Sequence, residues 1–163
     1  MSDFVIREAT SEDFGAMSAV QRRAVDVTLR EHYDGGAIDE WLACINVEKF
    51  RRVATSGEVS LIAVKDGEVV GFSSFTVSES HLDMWYVDPE HHGKGIGRRL
   101  LEEAEERLRL AGVVTVWTEA SQYAEPRFAR LGWQVVERHD KPAFGSTFSI
   151  TTMSKILHPT VEK

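Results

Sequence analysis

The chain has 163 residues, 42% of them hydrophobic, which suits one domain with an ordinary core, because single domains run from about 50 to 250 residues. Nineteen basic residues against 26 acidic ones leave a formal net charge of -7; this favours solubility but supplies no broad cationic field for a phosphate backbone, so nucleic acid is not an expected partner. A lone cysteine, Cys44, excludes an intrachain disulfide and the paired thiolate spacings of structural zinc or iron–sulfur sites, and it fits a reducing, cytoplasmic setting.

The opening MSDFVIREATSEDFG has no basic start followed by an apolar run, and no later stretch approaches the ~18 uninterrupted apolar residues of a membrane helix, so neither secretion nor membrane association is expected. Phe4 to Arg7 reads as a short first strand. Thr10 ahead of SEDF offers a helix cap, and apolar positions from Phe14 through Leu29 recur at helical spacing. YDGG, from Tyr33, marks a break. IDEWLACINVEKFRRVA then reads as a second helical region.

From Ser60 the period changes. Ser60 to Val64 and Glu68 to Val77 are strands joined by Asp66-Gly67, a pair suited to a tight hairpin because glycine tolerates positive φ. His81 to Val87 is a third strand, closed by Asp88-Pro89, where proline removes an amide donor. Ile96 to Leu110 is an amphipathic helix with Leu100, Leu101, Ala104 and Leu108 on one face; Glu103 with Arg107 and Glu105 with Arg109 have the favourable acidic-to-basic spacing of four. Val113 to Thr118 is a strand, and SQYAEPRFARLG a short helix starting near Ser121, with Pro126 tolerated in its first turn. Strands at Trp133 to Arg138 and Ser146 to Met153 follow. The whole of 1–163 reads as one domain, with 158–163 a short tail.

The segment VDPEHHGKGIGRRLL, from Val87, carries the chemistry. A strand, a turn dense in glycine and a strong helix direct several backbone amides into one concave space, and glycines at 93, 95 and 97 allow close approach. The helix end adds partial positive charge without a basic chain, which suits a diphosphate. Lys94, Arg98 and Arg99 offer further cationic contacts, though Arg98 and Arg99 read equally well as solvent-facing helix residues. HHGKGIG is not the phosphate loop of nucleotide triphosphatases, since no Ser or Thr follows Lys94, and its spacing departs from the dinucleotide fingerprint.

MWYVDPEHHGKGIGRRLL, together with KDGEVVGF before it and RFARLGW after it, resembles the GCN5-related N-acetyltransferase superfamily. The family's acyl-CoA signature begins with Gln or Arg where this chain has His92, and its two later small positions are Gly95 and Gly97. The resemblance spans about Phe4 to Ile156. It implies an α/β fold of the acyl-CoA N-acyltransferase kind, a mixed, mostly antiparallel twisted sheet flanked by helices. It implies acetyl-CoA as acyl donor, no metal, and direct acetyl transfer to a primary amine of a small molecule or peptide. By the same resemblance Trp85, Tyr86 and Val87 run beside the thioester and pantetheine arm, while the amides of His92, Gly93, Lys94, Gly95, Ile96, Gly97 and Arg98 surround the diphosphate. Ser121 reads either as a helix cap or as a hydrogen-bonding group near the pantetheine arm. A homodimer is common in the family.

For catalysis, a carboxylate or imidazole must receive the amine proton. Asp83 and His81 are the candidates; strand alternation puts them on one face and Leu82, Met84 and Tyr86 on the other. The tyrosine that often protonates the leaving thiolate in this family is replaced by Ala129. Tyr123, Tyr86 or solvent is left to do so, and the loss admits an alternative reading as an acyl-CoA-binding regulatory domain with little turnover. His81, His91 and His92 do not specify a coordination shell. Trp41, Trp85, Trp117 and Trp133 read as core or pocket walls, the arginine pairs from Arg22 and Arg51 as helix surface. Asp34, Asp39 and Glu40 are acidic residues able to draw in an amine, or simply a solvated face.

Overall fold

Two hydrophobic periods organise the chain, and a computed structural model describes residues 3–158 of it. Of the tail expected at 158–163, only His158 lies within the described residues. The strands are β1 (Val5–Glu8), β2 (Val59–Lys65), β3 (Glu68–Thr76), β4 (His81–Val87), β5 (Thr115–Ala120), β6 (Gln134–Ala143) and β7 (Ser146–Ile156); the helices are α1 (Phe14–Arg23), α2 (Gly35–Ala43), α3 (Val47–Thr55), α4 (Ile96–Leu110) and α5 (Glu125–Arg130). They form one seven-stranded sheet in the order β1-β2-β3-β4-β5-β7-β6. β1 to β4 make an antiparallel meander, and β5, β7 and β6 a second antiparallel set. The two sets meet where β4 runs parallel to β5 through one Cα pair, His81 with Trp117. This is the mixed, mostly antiparallel sheet flanked by helices that the sequence implies.

Each face of the meander buries a different helix layer. Leu61, Ala63, Val70, Phe75 and Leu82 meet Ile96, Leu100, Leu101, Ala104 and Leu108 of α4 on one face. Ile62 and Phe72 meet Phe14, Met17 and Val20 of α1 and Phe50 of α3 on the other. The two-sided burial explains why β2 and β3 read as nearly continuous apolar runs rather than strict alternation.

Several expectations shift. The region IDEWLACINVEKFRRVA is two helices, not one, because the Asn46 side chain accepts from Lys49 N at 3.0 Å and opens α3 afresh. Gly35 and Gly36 belong to α2 rather than to a break, since Asp34 accepts from Gly36 N at 3.0 Å and from Ala37 N at 3.3 Å. Beyond α1 the helix loosens into a π-type turn at Ala24–Thr28, the stretch where Val25, Val27 and Thr28 weaken helical preference. Glu105 does not pair with Arg109: it bonds Lys155 Nζ at 2.6 Å, whereas Arg109 pairs with Glu106. Trp117 is no pocket wall; at 39% exposure it sits on the outer face of β5.

The most consequential departure is in β4. Ser74 pairs with Met84 and Phe75 with Leu82, so Asp83 is an extra residue without a cross-strand partner, a β-bulge. The bulge resets the alternation. Leu82 joins Trp85 and Val87 on the α4 face, while Met84 and Tyr86 turn to the α1 face; the expected grouping of Leu82 with Met84 and Tyr86 is therefore corrected.

α4 lies close on β3 at Gly71, where an added Cβ would sit 3.0 Å from Tyr86 O, 3.1 Å from Leu100 Cδ1 and 3.3 Å from Ile96 Cγ2. Gly71→Ala is expected to lower stability by about 1–3 kcal/mol through overpacking, read as an earlier urea midpoint without a change of slope.

Candidate active site

β4 ends at Asp88-Pro89, and the glycine turn follows. Asp88 is buried; its carboxylate accepts from Glu90 N at 3.0 Å and from Arg23 Nη2 at 2.9 Å. Arg23, read from sequence as helix surface, thus ties the end of α1 to the turn. Gly93 and Gly95 have φ of 78° and 80°, and nothing lies within 4 Å of a Cβ built on either. Backbone conformation, not crowding, is what requires glycine there. Gly97 differs: its Cβ would meet Val87 Cγ2 at 3.4 Å and Trp85 Cζ2 at 3.5 Å. Gly95 caps α4, and Arg99 N is the first amide to bond back, to Gly95 O at 3.1 Å. The amides of residues 96–98 are therefore left for an external acceptor, at the positive end of a fifteen-residue helix.

Side chains brace this turn. Trp85 Nε1 donates to Gly97 O at 2.8 Å, and its ring packs on Phe128 of α5 with centroids 4.6 Å apart. His92 Nε2 meets Val87 O at 3.2 Å, and its ring stacks on Tyr123 at 6.1 Å. Lys94 Nζ reaches His91 Nδ1 at 3.4 Å, and Arg98 pairs with Glu102 at 2.6 Å.

Beyond the His81–Trp117 pair, Thr118 Oγ1 donates to Leu82 O at 2.9 Å, and then β4 and β5 diverge. Among the described residues, no strand lies beside the β5-facing peptide edge of β4 from Asp83 to Val87. A cavity of about 760 Å³ fills the opening; it is lined by Asp83, Met84, Trp85, Tyr86 and Val87, by the glycine turn, by Ser121 and Tyr123, and by His81. The sequence-derived candidates therefore converge on one cavity, with the exception of Lys94, which is not part of its lining. The helix expected to start near Ser121 starts at Glu125 with Ala124 as its N-cap, so Ser121 does not cap it; its Oγ accepts from Ala124 N at 3.1 Å and closes the turn ahead of α5. Tyr123 lies under the Arg127 guanidinium at 3.6 Å, and its hydroxyl makes no hydrogen bond among the described residues. Tyr86 points away from the β4 edge into the layer against Phe72, where burial pushes its hydroxyl up to about 12.

The bulge brings His81 and Asp83 together, His81 Nδ1 lying 2.8 Å from Asp83 Oδ1, while Thr76 Oγ1 donates to Asp83 Oδ2 at 2.7 Å. The hydrogen bond with Asp83 raises the proton affinity of His81 above its ordinary value, against the opposing effect of burial. Glu58, in the turn ahead of β2, is a neighbour that the sequence did not signal, since no motif singles it out. Burial, and then the charge of Asp83, push its carboxyl up to about 7. Ser74 is close enough to act on this carboxyl, yet neither Glu58 Oε2 nor Ser74 Oγ, both buried, completes a hydrogen bond of regular geometry.

The acidic residues Asp34, Asp39 and Glu40 are committed elsewhere: Asp34 caps α2, Asp39 pairs with Arg30 at 2.8 Å, and Glu40 accepts from Ser146 Oγ at 2.6 Å. Trp41, read from sequence as core or pocket wall, lines the cavity beyond Asp83 together with Lys49, Phe144 and Phe148, which sequence reasoning missed. They come from α2, α3 and the β6–β7 hairpin, and no motif links them. Among the described residues no group of three His, Cys, Asp or Glu is placed to hold a metal.

The model of the acetyltransferase (GNAT) domain matches residues 29–157. The chain belongs to the GNAT family. The uncharacterized N-acetyltransferase YafP of Escherichia coli is 30% identical over 149 residues, covering 91% of this chain and 93% of that one. Among solved structures, a GCN5-related N-acetyltransferase from Rhodopseudomonas palustris superposes with a TM-score of 0.88 at 28% identity, over 96% of this chain and 98% of that one. The PaiA N-acetyltransferase of Thermoplasma acidophilum, solved in complex with coenzyme A, shares the fold with a TM-score of 0.76 at 24% identity, over 96% of this GNAT chain and 99% of that one.

Glu58 generates a stability prediction. Its carboxyl rises from 4.5 to about 7 on folding, so the folded state binds more protons across that window and stability falls as pH rises through it. Glu58→Gln should abolish this fall and melt at a higher temperature than the native chain at about pH 8; thermal melts across pH check it, and an unchanged slope in the variant would refute the assignment.

Proposed function

We propose that this GNAT chain is an acetyl-CoA-dependent N-acetyltransferase that passes the acetyl group directly to a primary amine of a small molecule or peptide. The observation that carries the reading is the continuity of three parts: an unpaired strand edge at Asp83–Val87, a turn with left-handed Gly93 and Gly95, and the unsatisfied amides opening α4. A diphosphate fits the amides, and the amide groups of an extended pantetheine arm fit the strand edge.

Bound there, the thioester supplies an activated acetyl group and a thiolate leaving group. The chain's own groups do the rest. Amides of 93–98 hold the diphosphate, that of His92 being turned to Pro89 O at 3.5 Å; Trp85 fixes the first turn of α4 through Gly97 O, and the free β4 edge aligns the acyl end with the bulge. As the amine nitrogen bonds to the acetyl carbon and the carbon–sulfur bond breaks, Asp83 receives the amine proton, directly or through water. The raised proton affinity of His81 supports its role as the cationic partner of Asp83 rather than as the free base. The Tyr123 hydroxyl, which has no hydrogen-bond partner among the described residues, is the candidate to protonate the sulfur in the absence of a tyrosine at Ala129.

Incubation with acetyl-CoA and a panel of primary amines, read by free thiol and acceptor mass, should give an acetylated amine with one thiol per product. Tight coenzyme A binding with no product from any amine would instead support a binding, regulatory domain. Asp83→Asn should lower kcat by about 10²- to 10⁴-fold, the range typical of lost general-base catalysis, with little effect on coenzyme A affinity. Gly95→Ala should do the reverse, weakening coenzyme A about tenfold through a left-handed conformation costing ~1–2 kcal/mol for a residue with a Cβ.

A further inference from the structure

The far end of the cavity is built for more than an amine. Trp41 of α2 and Phe144 of the β6–β7 turn stack with centroids 5.3 Å apart and planes 9° apart, and Phe148 stands edge-on to them at 5.5 and 6.1 Å. Phe144 has a φ of 53°, an uncommon state for an aromatic residue that persists where surroundings over-determine it. Lys49, from α3, lines the same cavity with its ammonium 6.0 Å from the Phe144 centroid. Lys49 makes no ion pair among the described residues. Burial lowers its proton affinity, and the charge of Glu58 opposes that. Trp41 Nε1 is a second donor there, buried and without a hydrogen-bond partner among the described residues. Of the other cavity cations, Lys141 bonds Glu119 at 2.8 Å, Arg98 bonds Glu102 at 2.6 Å and Arg127 donates to Tyr123 O at 2.7 Å; Arg130, on α5, makes no ion pair among the described residues but comes from a different wall than the three rings.

From this arrangement we infer that the acceptor is a primary amine that also carries a carboxylate: Lys49 holds the carboxylate, the Trp41, Phe144 and Phe148 rings cover a large apolar side group, and the amine faces Asp83. The inference rests on the acetyltransferase reading and goes beyond it by naming the acceptor class. Its logic is complementarity of charge. A zwitterion brings an anion to a half-buried ammonium that makes no ion pair among the described residues and a cation to a carboxylate already flanked by Glu58, while its apolar part removes aromatic surface from water. A simple diamine satisfies the carboxylates but places a like charge beside Lys49.

Matched pairs test it: phenylalanine with 2-phenylethylamine, and tryptophan with tryptamine, which differ only in the carboxylate. With acetyl-CoA, the acid of each pair should have the higher kcat/KM. Lys49→Met, which keeps the apolar stem against Phe144, should reduce the acid-to-amine ratio by about tenfold or more, as expected for a lost charge-assisted hydrogen bond; Lys49→Arg should restore much of it. The same pairs are titrated by calorimetry into protein saturated with coenzyme A. Acid-selective binding that depends on Lys49, without any acetylated product, would uphold the subsite and overturn the transferase reading. Equal handling of acid and amine by the native chain, or an equal loss on both in Lys49→Met, would overturn the inference while leaving acetyl transfer standing.

Discussion

The divergence of β4 from β5 is the constraint on which the rest of the molecule depends. Two parallel strands touch at His81 and Trp117, are fastened by the Thr118 hydroxyl on Leu82 O, and then part. A strand edge with unmet amides and carbonyls inside a protein is costly unless water or a ligand meets it. The chain keeps this edge open by holding each strand from its other side, β4 by β3 and β5 by β7. The cavity is the space between the two antiparallel sets, which is why its walls come from both halves of the sequence.

The bulge at Asp83 acts on that junction in two ways. It changes which residues of β4 face which helix layer, letting Leu82 and Trp85 both pack toward α4. It also brings the Asp83 carboxylate within reach of Thr76, His81 and Glu58. One inserted residue therefore serves packing and chemistry together, as bulges beside functional sites commonly do. The cluster is electrostatically uneven: a histidine held toward its cationic form sits on one side of Asp83, and a carboxyl held toward its neutral form on the other. Such separation of proton affinities among adjacent groups is a property of sites that move protons.

Charge follows the same local logic. An acidic chain still offers an anion a favourable turn, because the attraction comes from oriented peptide groups rather than from net charge. Arg23 steadies that turn from α1 through a buried Asp88, and Trp85 steadies it from within the sheet. The first acts through the Asp88 carboxylate on Glu90 N and the second directly on Gly97 O, so both end on main-chain atoms of the turn.

The sequence by itself determined the elements whose signals are local. The β2–β3 hairpin, β4, α4 and the glycine turn were legible because period, turn chemistry and helix capping act over a few residues; the family resemblance put the cofactor along β4 and the turn, strand alternation grouped Asp83 with His81, and Tyr123 was left as one of several proton donors. Tertiary structure alone decided what depends on distant pairing. The bulge that regroups Leu82, the commitment of Glu105 to Lys155, the buried carboxyl of Glu58, and the meeting of Trp41, Lys49, Phe144 and Phe148 all arise from segments far apart in the chain. Side-chain periodicity cannot register an extra residue until a partner strand sets the count, and a proton affinity cannot shift until folding removes the water around it.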